Sequence, residues 1–112
     1  MNISYEEIGC LRVTFPAGGC AAGKVCKVNA SGQAAPCSAK ERFCGLVESV
    51  HGSQAAVLLH GFAALPYSGA APALGYVALS ADGAGGVQVD TAGASYLAVA
   101  VDTAAKTVTV EL

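Results

Sequence analysis

Apolar and polar positions alternate most cleanly at the C-terminal end of the chain. Leu97, Val99 and Val101 alternate on one face of residues 95–102, and Val108, Val110 and Leu112 alternate opposite them over 106–112. Thr107, Thr109 and Glu111 point the other way, and the two runs together predict a hairpin. A second hairpin is predicted from residues 44–51 and 54–61, whose flanks carry Val and Leu around a two-residue Gly52-Ser53 turn. His51 and His60 then fall near the two strand ends. Leu11, Val13 and Phe15 alternate with Arg12 and Thr14, which predicts a half-buried strand stopped by Pro16. Residues 23–28 read as another strand, turned by Ala30-Ser31-Gly32 toward residues 33–38. Tyr76 to Leu79 and Val87 to Asp90 flank a loop, residues 81–86, whose glycines supply positive φ angles cheaply. Residues 63–74, with Pro66 and Pro72, are apolar without a clear period and fit a covered loop, an extended connection or a short helical turn.

Fourteen glycines and four prolines leave no easy place for an amphipathic helix of ordinary length, whereas short Val-rich runs recur. The pattern predicts an all-β fold, a small single-domain β-barrel or sandwich of short Gly-punctuated strands. Residues 1–9 read as an arm free to move when unpartnered, and 10–112 as a single β domain. No long repeat, linker or composition break stands out.

Composition adds three constraints. The 54% hydrophobic content is carried by Ala, Val and Leu, with no Trp and 6% aromatics, so the core is expected to be thin and aliphatic. Charged residues make up 12%, about half the usual quarter, which implies that neighbouring subunits cover part of the surface. A formal charge of -2 with scattered Lys and Arg provides no field for binding phosphates, so nucleic-acid partners are not expected. The N-terminal residues show neither a basic n-region nor an apolar h-region, and no window approaches a membrane span. An odd number of cysteines (Cys10, Cys20, Cys26, Cys37, Cys44) without a leader suits reduced thiols in a cytoplasm.

Candidate chemistry is sparse. Zinc would draw on five Cys and two His, but there is no Cys-x-x-Cys knuckle and no His-x₃₋₅-His pair, so small buried thiols are the simpler reading. Thiol catalysis could start only from Cys44 with His51 or His60, which a hairpin would set across two strands. Gly83-Ala84-Gly85-Gly86 lacks the Gly-Lys-Ser/Thr of a phosphate loop. Asp82, Asp90 and Asp102 are too widely spaced for a calcium loop and read as turn caps. Lys106 lies near a hairpin tip but lacks the flanking residues of lipoyl or biotinyl carriers. Tyr67, Tyr76 and Tyr96 are candidate ligand contacts in a binding module, or ordinary strand tyrosines. No residue is assigned as catalytic, cofactor-binding or metal-ligating, and no cofactor is expected.

Ala17-Gly18-Gly19, the run Gly23-Lys24-Val25-Cys26-Lys27-Val28-Asn29-Ala30-Ser31-Gly32-Gln33 and the run Phe43-Cys44-Gly45-Leu46-Val47-Glu48-Ser49-Val50 resemble small phage and prophage capsid decoration, or head cement, proteins. Residues 69–76 and 81–89 are compatible with the same likeness. The resemblance implies a compact β-barrel that oligomerises, with a trimer favoured, and binds the major capsid protein on the head lattice. It also implies synthesis in the bacterial cytoplasm, a final place on the virion surface, no membrane, and no enzymatic activity. Residues 1–9 would then order on the shell by adding a strand to a sheet edge. The alternatives are a small β-barrel ligand- or carbohydrate-binding module and, less favoured, a Cys/His metal or thiol enzyme.

Overall fold

The computed structural model describes residues 10–112, and its ten strands are β1 (Leu11–Pro16), β2 (Val25–Val28), β3 (Ala34–Pro36), β4 (Gly45–His51), β5 (Gln54–His60), β6 (Phe62–Pro66), β7 (Gly75–Ala81), β8 (Val87–Val89), β9 (Ala94–Asp102) and β10 (Thr107–Glu111). They form two antiparallel sheets, ordered β1-β5-β4-β2-β3 and β6-β10-β9-β7-β8. The all-β expectation holds, and between barrel and sandwich the arrangement is sandwich-like. The expected N-terminal arm, residues 1–9, lies outside the described residues.

Both expected hairpins form. His51 pairs with Gln54 across Gly52-Ser53, and Asp102 pairs with Thr107 at the other turn. The loop after β7 has Gly83 and Gly85 at φ 85° and 92°, the left-handed conformation expected of it. Residues 63–74 differ from all three expectations at their start: residues 62–66 are a strand, because Ala63 and Leu65 bury inward while their backbone pairs with β10.

The face pattern expected for β9 is also corrected. Ala98 pairs with Val110 and Ala100 with Thr109, so Val99 is an extra residue in a bulge. The bulge resets the phase of the strand. Ala98 and Val101 therefore pack inward, while Leu97 lies opposite the exposed Tyr76. Val108 and Val110 are buried and Leu112 packs beside them, as the pattern requires.

The two sheets meet in one apolar cluster, to which the first contributes Val25, Phe43 and Leu58 and the second Leu65, Leu79 and Val110. The first sheet is buried on its other face too. Cys26, Ala34, Val47, Ala55 and Val57 form a second cluster, covered by Phe15, Ala17 and Cys20. Adjacent residues such as Val25 and Cys26, or Val57 and Leu58, thus bury in opposite directions. This explains the continuous apolar runs in that half.

A repeat that the sequence pattern hides is plain in the topology. Residues 11–61 and 62–112, equal lengths of chain, fold into sheets of the same strand order, β6 to β10 retracing β1 to β5. In each, the residue after the first strand makes a parallel bridge to the third, Ala17 to Ala34 and Tyr67 to Val87. Each fourth strand carries a bulge, at Glu48 and at Val99. The turn between second and third strands is built alike: Asn29 Oδ1 accepts the Ser31 and Gln33 N–H groups, and Asp82 Oδ1 those of Ala84 and Gly86. With hindsight, Phe15-Pro16-Ala17-Gly18-Gly19 and Leu65-Pro66-Tyr67-Ser68-Gly69 are the readable trace of it.

Candidate functional site

All five cysteines, both histidines and every Lys or Arg except Lys106 lie in the first half of the chain. Since the halves share one architecture, this chemical asymmetry marks where to look for a site. Its centre is the connection from β3 to β4, residues 37–44. Glu41 anchors that loop by accepting the Ser38 N–H at 2.6 Å and Lys27 Nζ at 2.9 Å, and both contacts hold its carboxyl below the usual range. The loop is stapled to the second sheet: Lys40 N–H donates to Ala81 O at 2.8 Å, and Ala81 N–H to Glu41 O at 2.9 Å. Phe43 is buried, its ring stacked on Tyr96 at a centroid distance of 4.8 Å and an interplanar angle of 13°.

Beside this stack the halves leave a solvent-open groove. One part, about 370 Å³, is lined by Arg42, Phe43, Cys44, Leu59, His60, Tyr96 and Leu112. A second, about 290 Å³, shares Arg42, Tyr96 and Leu112 and adds Tyr76, Ser95, Leu97 and Glu111. The Tyr96 hydroxyl donates to Phe43 O at 3.4 Å, and Arg42 lines both parts of the groove beside it. Burial raises the Tyr96 hydroxyl pKa, against the opposing effect of Arg42. His60 Nδ1 lies 3.4 Å from Leu112 O.

Cys44 is the reactive group of the groove. It is exposed, whereas Cys26 on the neighbouring strand is 0% exposed. The Cys44 N–H donates to Cys26 O at 2.9 Å, and the two thiols shift each other's ionisation in opposite directions. The neighbouring Cys26 thiol lowers the Cys44 thiol to about 7 against the opposing effect of burial, with the backbone N–H groups of Cys44 and Val28 adding to it. The same contact, together with burial, pushes the Cys26 thiol well above the ordinary range. Burial and nearby Glu41 raise Cys37 to about 11.

The sequence candidates divide accordingly. Cys44 and His60 do share a cavity wall, while His51 lies at the far end of β4 from Cys44. Tyr76 and Tyr96 share the smaller cavity, but Tyr67 is a core residue. Asp82, Asp90 and Asp102 each accept backbone N–H groups in their turns, the role expected of them. Lys106 sits exposed in the last turn at φ 55°. Among the described residues, no three of His, Cys, Asp and Glu are placed to hold one metal ion. Sequence reasoning missed Arg42 and the Cys26–Cys44 contact. The latter depends on β2 lying directly beside β4 although β3 separates them along the chain, for which the sequence carries no local signal.

Searches of protein-family models, of curated proteins and of solved structures find no match for this chain.

Proposed function

We propose that this protein is a non-enzymatic structural component of a phage or prophage virion, a capsid decoration subunit that self-associates, with a trimer favoured, and binds the major capsid protein. It is made in the bacterial cytoplasm and ends on the capsid surface. The observation that carries this reading is the weakly charged outer face of the second sheet. There the register sets Tyr76, Leu97, Glu111 and Phe62 in one row across four strands, with Glu111 its single charge. Tyr76 is 79% exposed and the preceding Leu74 64%, and Val89 on the edge strand is exposed as well. Large apolar side chains in solvent on so weakly charged a chain favour a covered state in an assembly. The resemblance of residues 17–19, 23–33 and 43–50 to decoration proteins supports a virion as that assembly, where many copies on a lattice would gain from avidity.

The test is co-sedimentation of the full chain with assembled shells of phage major capsid proteins, together with its solution mass. The expected result is a chain that travels with the shells and, when free, scatters as about 33 kDa, three times 11.0 kDa. A chain that stays at the top of the gradient at any excess would overturn the assignment. A second reading, a ligand-binding module, is favoured by the groove that Tyr76, Tyr96, Arg42 and Ser95 line together. It would take over if the protein stayed an 11.0 kDa monomer indifferent to shells while a carbohydrate or acidic small molecule quenched its tyrosine fluorescence.

A further inference from the structure

We infer that Cys44 and Cys26 form a hydroperoxide-responsive dithiol, in which the groove-facing Cys44 is oxidised first and the buried Cys26 resolves it to an intrachain disulfide between the β3–β4 connection and β2. The inference goes beyond the structural role proposed above and stands independently of it.

Three observations carry it. The first is reach: the Cys44 N–H donates to Cys26 O at 2.9 Å, beside the register pair of Cys26 with Gly45. A backbone hydrogen bond of that length keeps their Cα atoms within the ~6.8 Å upper limit that a disulfide spans. The second is the division of access. Cys44 opens into the groove, and Cys26 has no exposed surface, so a small oxidant meets Cys44 first. The third is the company Cys44 keeps. The cavity it lines with Arg42, His60 and Tyr96 is open to solvent, and the neighbouring Cys26 thiol favours its thiolate.

The chemistry balances with one hydroperoxide per chain. The Cys44 thiolate attacks the terminal oxygen of the peroxide; an S–O bond forms, the O–O bond breaks, and its electron pair leaves with the departing alkoxide or hydroxide, which takes a proton from solvent. Cys44 is then a sulfenic acid. With the Cys44 thiolate gone, Cys26 loses the contact that most strongly opposed its ionisation. Its sulfur attacks Cys44, the S–S bond forms, the S–O bond breaks, and hydroxide leaves as water with the Cys26 proton. The two sulfurs together supply two electrons.

The experiment uses the full reduced chain and one equivalent of hydrogen peroxide, read by intact mass and peptide mapping. The expected product is about 2 Da lighter and maps to a Cys26–Cys44 crosslink reversed by a thiol reductant. Cys26→Ala should instead trap a Cys44 sulfenic acid that a cyclic 1,3-diketone labels, and Cys20→Ser should leave the wild-type product unchanged. Cys20 and Cys37 also lie near Cys26, so a disulfide mapped to either would overturn the assignment. So would an unchanged mass, or direct passage of wild-type Cys44 to sulfinic acid. The wild-type map decides the matter even if a variant fails to fold.

Discussion

At the scale of single residues, Cys44 and Gly45 are adjacent and are constrained by opposite means. Cys44 is tuned chiefly by the neighbouring Cys26 thiol, and the other groups around it are Cys37, Arg42, His60 and Tyr96. Its alkylation by iodoacetamide should rise with a midpoint near pH 7, where an ordinary thiol would show about 9. Cys26→Ala removes the neighbouring thiol and should move that midpoint upward; an unmoved midpoint would assign the shift elsewhere. Gly45 is held by space. A Cβ there would run into the Leu58 carbonyl oxygen and stand 2.9 Å from Val57 Cγ1, at the end of the β4–β5 pairing, which begins with Leu46 opposite Leu58. Gly45→Ala should lower stability by about 2–3 kcal/mol in urea unfolding, because backbone cannot retreat as a flexible side chain can. The sequence showed these residues as a cysteine and a glycine on a valine-rich strand. What makes each special is a neighbour distant along the chain.

At the scale of elements, the turns explain how short strands hold their register. Asp82 accepts the Ala84 N–H at 2.7 Å, the Gly86 N–H at 3.1 Å and the Ser68 hydroxyl at 2.8 Å. Burial raises its pKa, but these donors and Lys24 prevail and hold it below the usual carboxylate range. Its contribution is therefore complete at neutral pH and is lost as pH falls through the lowered folded value. Asp82→Ala should cost about 1–2 kcal/mol. Asp82→Asn keeps the Oδ1 acceptor without the titration, so its Tm should fall less than that of wild type between pH 7 and pH 3. Equal acid sensitivity in the two would remove Asp82 from the account. The turn chemistry here was legible beforehand, since glycines and Asx residues act on their immediate neighbours. The β9 bulge was not, because alternation over Leu97, Val99 and Val101 is equally good without it; only pairing with β10 shows that Val99 is extra.

At the scale of the whole molecule, two copies of one topology share a core. Phe43 and Leu58 of the first half pack into the same cluster as Leu65, Leu79 and Val110 of the second, and the β3–β4 loop is bonded to Ala81. Each half alone would expose its side of that cluster and fall near the size at which a chain cannot bury enough surface to fold. Fragments 10–61 and 62–112 should therefore each lack cooperative thermal unfolding by circular dichroism. A sharp transition in either fragment alone would show that the halves are independent units. The groove lies where the halves meet, with Cys44 and His60 from one and Tyr96 and Leu112 from the other, so its existence follows from their docking.

The amino-acid sequence by itself determined the all-β class, the two hairpins, the positive-φ loop and the turn-capping aspartates, because alternation, Gly placement and Asx chemistry act over a few residues. It left barrel against sandwich, strand order, the internal repeat and the neighbours of Cys44 to the tertiary structure. Those depend on which strands pair across long stretches of chain: β1 with β5 and β2 with β4 in one sheet, β6 with β10 and β7 with β9 in the other. Periodicity says which way a side chain points, and only the fold says what it meets there.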